Sequence, residues 1–202
     1  MKRFSVLLTL LVCAATNGVA QNPYADGVRV TADSITYIVE NAYDVYYRLV
    51  NIDNKYTDKT PIDLNGNPVS PDDFEYKAGV LDVESLRQAI TATFSHDELA
   101  TLGATKSGIR LFLTINNAGE LLEVVFQVYL IPTANDIPIS KFELFEKNLK
   151  KHLRFIELSD FEKNLQFSHS SILIRWERYA PKMLIDKNPD AEIAPDSLQI
   201  NP

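Results

Sequence analysis

Residues 109–130 read IRLFLTINNAGELLEVVFQVYL, and this stretch decides the fold class. Ile109, Leu111, Leu113 and Ile115 alternate with other residues, so an extended chain collects them on one face. Asn117-Ala118-Gly119 supplies turn chemistry, and Leu122, Val124, Phe126, Val128 and Leu130 alternate on the way back. A period of two on both sides of a polar, glycine-bearing tip is the signature of a β-hairpin. A hairpin of this length needs a cover for its apolar face, which the flanking sequence must supply as helices or further strands.

Both flanks do so. Downstream, Ser140-Lys141-Phe142-Glu143 reads as a capping box, with Ile139 and Leu144 spaced as its hydrophobic staple. The predicted helix carries Phe142, Phe145, Leu149, Leu153 and Ile156 as its buried stripe. Its outer side pairs Glu143 with Lys147 and Glu146 with Lys150, each pair worth about 0.2–0.5 kcal/mol. A last strand around Ser171–Tyr179 puts Ile172, Ile174 and Trp176 on one side and is expected at or next to a sheet edge. Upstream, Asp82 caps a helix whose face is Leu86, Ala89, Ile90, Thr93 and Phe94, with a staple from Leu81 to Leu86. Ser95-His96-Asp97-Glu98 opens a second short helix, which Gly103 is expected to end. Earlier still, Ser34–Glu40 and Tyr43–Ile52 read as strands joined at Asn41-Ala42. Residues 51–77 are polar and turn-rich, with a small hairpin expected at Leu64-Asn65-Gly66-Asn67. The order is ββ-α-ββ-α-β: an α+β fold with an antiparallel sheet and helices packed on one face. Two successive strand-strand-helix units suggest an internal structural repeat, although no matching residues mark it.

The ends carry an address. Met1-Lys2-Arg3 is basic, Phe4 to Ala15 is mostly apolar, and Asn17-Gly18-Val19-Ala20 places small residues where a signal peptidase cuts. We therefore expect a signal peptide over 1–20, cleavage after Ala20, and a mature chain starting at Gln21 in the periplasm or outside the cell. The apolar run falls short of the roughly 20 residues of a spanning helix. Cys13, the only cysteine, could instead bear a lipid, but Val12 precedes it where a lipobox has Gly, Ala or Ser. Residues 21–180 are expected to form a single domain, with an N-terminal half of strands and polar loop (21–80) and a second half over 81–180. Residues 181–202 read as an acidic, proline-containing tail. A composition 46% apolar, with ten Phe and nine Tyr, suffices for a packed core. Losing Lys2 and Arg3 would take the net charge from −7 to −9, with 18 basic against 27 acidic groups. So acidic a surface repels phosphate backbones and weighs against nucleic acid as a partner.

The block from Gly108 to about Tyr179 resembles the C-terminal domain of TonB-type proteins. The resemblance rests on Ile109-Arg110-Leu111-Phe112-Leu113-Thr114-Ile115-Asn116, the turn Asn117-Ala118-Gly119-Glu120 and Leu121 to Phe126, followed by a helix and one strand. It implies recognition by strand pairing with a partner segment. We expect no membrane anchor to be retained, and no proline-rich spacer precedes the block, so the family's energy-coupling role is not expected to carry over. The whole chain is similar to small secreted proteins of Bacteroidetes-type bacteria whose function is unknown, which implies export and no particular activity.

Candidate chemistry is sparse. His96 stands in the first turn of a capped helix, His152 beside Lys151 on a helix flank, and neither is at metal-ligand spacing from another His or a Cys. Neither a metal nor a cofactor is expected. Ser168-His169-Ser170-Ser171, with Asp160 as orienting acid, invites a hydrolase reading, but the chain has no Gly-x-Ser-x-Gly elbow. Among 27 acids nothing singles out a glycosidase pair. Asp53, Asp58, Asp63, Asn65 and Asp72-Asp73 make the middle loop oxygen-rich, without EF-hand spacing or its closing Glu, so it reads as a solvated loop. Tyr43, Val45, Tyr47 and Leu49 read as a core face, while Tyr46 and Arg48 point the other way beside Asp44. Tyr and Arg anchor interfaces, so Tyr46 and Arg48 are candidate binding residues, and Arg175 and Glu177 repeat that chemistry near the last strand. The sequence supports a non-enzymatic binding module for protein, peptide or glycan first, and a secreted hydrolase using carboxylates or the His169 region second.

Overall fold

A computed structural model of the chain describes residues 25–42, 45–70, 80–105, 107–129 and 137–180. The expected signal peptide, Tyr43, Asp44, Asp72-Asp73, Leu130 and the tail from 181 lie outside the described residues. In chain order the elements are β1 (Arg29–Thr31), β2 (Thr36–Ala42), β3 (Tyr46–Asn51), β4 (Val80–Leu81), α1 (Val83–Thr93) and α2 (His96–Ala104). They continue as β5 (Gly108–Asn116), β6 (Leu121–Tyr129), α3 (Ile139–His152), β7 (Phe155–Glu157), α4 (Asp160–Lys163) and β8 (Phe167–Arg175), closed by a 3₁₀ turn over Trp176–Arg178. This is the α+β class expected, with four short elements, β1, β4, β7 and α4, added to the predicted order.

The hairpin of residues 108–129 lies inside a six-stranded antiparallel sheet of order β1-β2-β3-β6-β5-β8. The two long hairpins β2–β3 and β5–β6 meet through their second strands, and α1 packs against α3. That is the arrangement of two strand-strand-helix units joined side by side. Leu49, Phe126 and Leu111 stand in one cross-strand row on the helix-covered face, all fully buried. Phe126 meets Phe142 and Phe145 of α3 at ring-centroid distances of 5.3 and 5.8 Å, and Phe94 bridges Phe145 to Trp176 at 5.5 and 5.1 Å. Trp176 thus lies under the sheet as part of the core.

The turn at Asn117–Gly119 requires glycine. Gly119 has φ +76°, and a Cβ there would come within 2.9 Å of the Phe155 carbonyl oxygen. A register shift opposite Thr114 and Ile115 pairs Ile115 with Leu121. This β-bulge turns Leu121 into the core in place of Leu122, which the strict alternation had selected. Asp82 caps α1 through the Glu84 N–H, and Ser95 with Glu98 forms the predicted capping box of α2. Gly103 does not end α2. It lies inside the helix, where any side chain would collide with Ala180 after the 3₁₀ turn.

Helix α3 departs most from expectation. It starts at Ile139 with Pro138 as N-cap, which has no side-chain acceptor, so Ser140 lies inside the helix and the predicted Ser140–Glu143 capping box does not form. Glu143 and Glu146, expected on the outer side, are 3% and 0% exposed. Glu143 accepts from the Ser34 N–H (3.0 Å), the Ser34 hydroxyl (2.6 Å), the Ile35 N–H (3.2 Å) and Lys147 Nζ (2.5 Å). Burial pushes its carboxyl up, but Lys147, Ser34 and Ile35 outweigh that and hold it down at about 2. Glu146 accepts from the Tyr37 hydroxyl (2.9 Å), Asn51 Nδ2 (3.0 Å) and Lys150 Nζ (2.7 Å). Burial, and then the Glu146 charge, push the Tyr37 hydroxyl well above its ordinary range. These carboxylates clamp the helix to β2 and β3, which is why a seemingly polar flank is interior. Leu144, the expected staple partner, is exposed, as is Ile156, which belongs to β7.

The early strands are also shifted. Asn41 and Ala42 belong to β2 and not to a turn, Val45 is exposed ahead of β3, and β1, at three residues too short for a periodicity signal, adds a sheet edge.

Candidate functional site

Opposite the helices, the sheet presents its other face, built from the alternate phase of every long strand. A cross-strand row of Glu40, Arg48, Gln127, Arg110 and Leu173 runs along it. Part of this face is roofed by the segment after β3. Glu123, on β6, is 6% exposed and accepts from the N–H groups of Lys55, Tyr56 and Thr57 and from the Thr57 hydroxyl. One buried carboxylate therefore pins three successive residues of the loop onto the sheet.

The loop's far end is tied to β8. His169 Nε2 lies 2.8 Å from the Lys59 carbonyl oxygen, which only accepts, so Nε2 carries the proton and Nδ1 accepts from the Thr114 hydroxyl at 3.2 Å. The hairpin predicted at 64–67 is present: Asp63 N–H donates to the Asn67 carbonyl (2.9 Å), and Gly66 takes φ +88°. Asp63 accepts the N–H groups of Asn65 and Asn67, both 2.8 Å, and so serves the turn.

Between roof and sheet lies a groove of about 510 Å³, lined among others by Tyr46, Arg48, Phe112, Gln127 and His169. Arg48 holds Glu40 at 3.0 Å and Asp58 at 3.3 Å, and its guanidinium stands 5.9 Å from the Phe112 ring centroid. Tyr46 packs edge-on to Tyr129 at 6.1 Å. The structure thus brings Tyr46 and Arg48 together, as the candidate pair, in a real concavity. Phe112 and Gln127 were missed, although both lie on the non-core phase of the hairpin that decided the fold.

The second feature is the sheet's end. β8 runs nine residues and, among the described residues, pairs with β5 alone. The loop reaches its start, where the Gln166 N–H donates to the Ile62 carbonyl at 2.9 Å, so the open length runs over 168–175. It contains no proline, and its pairing with β5 carries no bulge. Arg175 is exposed at its end. Glu177 is exposed too, but in the 3₁₀ turn and not on a strand, which stops four residues earlier than expected. Ser168 to Ser171 are strand residues.

The remaining candidates do not converge. Asp160 pairs with Lys163 in its own helix at 3.1 Å, and His96 is exposed beside Asp97. Among the described residues no cluster of His, Cys, Asp and Glu could hold a metal ion, and no helix is long and apolar enough to cross a membrane.

No protein-family profile matches the chain, and no curated protein matches it. Among solved structures it is similar to a DUF5043 family protein from Bacteroides uniformis, with TM-score 0.59 and 18% identity. The match covers 76% of this chain and 93% of that one. At this identity the likeness is one of fold, to an uncharacterised family from the bacterial group that the sequence resemblance named.

Proposed function

We propose that this is an exported, non-enzymatic binding protein that recognises an extended peptide segment by adding it as a strand along the outer edge of β8. The observation that carries this reading is the asymmetry of the two sheet edges. Proteins blunt edges by keeping them short or by placing prolines, bulges or charges on them. β1 is three residues long, whereas β8 is nine, with neither proline nor bulge. An open edge offers backbone donors and acceptors at fixed spacing, and alternate side chains select among partners. Leu173, 43% exposed, and Arg175 are the side chains placed to select here. The TonB-type resemblance of residues 108–179 supports the same mode, since it implies pairing with a partner segment. The hydrolase reading has less support, because both ring nitrogens of His169 are engaged by Thr114 and Lys59 and no carboxylate among the described residues orients it.

A peptide selected from a display library against the chain from Gln21 tests the mode. Backbone NMR shifts should map its binding to residues 168–175, and N-methylation of alternate peptide amides should abolish it. Binding that maps elsewhere, or that tolerates the methyl groups, overturns the reading.

A further inference from the structure

Directly opposite residues of antiparallel strands share a face, and this puts an unbalanced pair of cations beside the β8 edge. Arg110 opposite Leu173, Phe112 opposite Ser171 and Gly108 opposite Arg175 all stand on the face away from the helices. Arg110 and Arg175 are therefore diagonal neighbours, roughly 7–8 Å apart at the backbone. Gly108 puts no side chain between them. Arg175 is exposed and Arg110 half-buried, and neither forms an ion pair or a side-chain hydrogen bond among the described residues. The Nε of Arg110 is buried without a partner. Glu40 and Asp58 are held by Arg48, and Glu123 by the loop, so none of these three balances the pair. The chain has 27 acidic against 20 basic groups, so two adjacent arginines without an acid run against its composition. Like charges this close repel, and a buried donor is rarely left unpaired. Beside them Leu173 is 43% and Phe112 37% exposed.

The backbone decides what meets this pattern. The Trp176 N–H donates to the Ser107 carbonyl at 3.2 Å, so the alternation of the ladder turns the backbone groups of Ser171, Leu173 and Arg175 away from β5. A strand added there sets its own open-face residues opposite these three. We infer that β8 selects an extended peptide carrying an acidic residue two positions from an apolar one, both on the open face. This rests on strand addition at β8 and names the partner's chemistry. The acid lies opposite Arg175 and on the side of Arg110, whose planar guanidinium groups suit a carboxylate. The apolar residue lies opposite Leu173, with Phe112 behind it.

Three acetylated and amidated heptapeptides test this against ¹⁵N-labelled chain from Gln21: Thr-Glu-Thr-Leu-Thr-Glu-Thr and its counterparts with Gln or Lys in place of Glu. Their side chains read the same in both directions, so with Leu opposite Leu173 an acid meets Arg175 in a parallel or an antiparallel strand. The Glu peptide should bind about fivefold more tightly than the Gln peptide, and the Lys peptide more weakly than both, with shifts over 168–175 in each case. Arg110→Gln with Arg175→Gln should erase that order and keep the map, and Arg110→Gln with Arg175→Glu should turn the preference toward the Lys peptide. Equal affinities with shifts on 168–175 overturn the charge assignment and leave strand addition standing. No binding by any of the three, or shifts away from 168–175, removes strand addition and this inference with it.

Discussion

Glu143 illustrates how a single residue can read one way in sequence and act another way in the fold. At four-residue spacing from Lys147 it looks like a solvated ion pair, yet it closes the gap between α3 and the Ser34–Ile35 backbone. Nothing local announces this, because its partners lie about a hundred residues earlier in the chain. The same holds for Glu146, which accepts from Tyr37 and Asn51 on strands about a hundred residues earlier. The sign of the pH effect follows from the direction of the shift. The Glu143 carboxyl is held down at about 2, below its unfolded value of about 4.3, so the folded state binds fewer protons between those values. Its contribution is full above the unfolded value and drains away as pH falls toward 2. Glu143→Gln should therefore lower Tm at pH 7 and flatten the acid limb of Tm against pH. An acid limb parallel to the wild type's would show that this carboxylate is not the clamp described.

At the scale of elements, what repeats locally was legible and what depends on distant packing was not. The β5–β6 hairpin, the α1 face and the capping box of α2 each carry their signal within about ten residues, and each is present. The bulge at Leu121, the start of α3 at Ile139 and the three-residue β1 answer to neighbours remote in sequence. The groove was half legible. Tyr46 and Arg48 follow from strand phase, but the roof over them is set by Glu123, a buried acid that reads as surface. The stripe of α3 gives the clearest test of element packing. Leu149 is fully buried and Leu144 is 40% exposed. Leu149→Ala should cost about 2–5 kcal/mol in urea unfolding, as buried leucine truncations do, while Leu144→Ala should stay within about 0.5 kcal/mol. Similar midpoints for the two would mean that α3 presents the wrong face to the sheet.

For the whole molecule, the topology explains why the sheet has one short edge and one long one. Two hairpins joined through β3 and β6 leave β2 and β5 as the outer strands of a four-stranded core. β1 covers β2 for only three residues, whereas β8, arriving after α3, extends the sheet beyond β5 for nine. The final strand's position between a helix and a proline-bearing tail placed it at or next to an edge, and the pairing with β5 alone among the described residues makes it the edge. Its early start was not readable, since Ser168 to Ser171 look like loop residues and become strand only through pairing with Phe112 to Ile115. Everything proposed about partner recognition rests on the outer side of β8 being available in the chain from Gln21. Amide hydrogen exchange measures that directly, comparing the chain from Gln21 to Pro202 with one ending at Ala180. The amides of residues 168–175 that point away from β5 should exchange quickly in both forms. Slow exchange in the longer form that becomes fast on truncation would show that the chain covers its own edge, and the strand-addition account would fail.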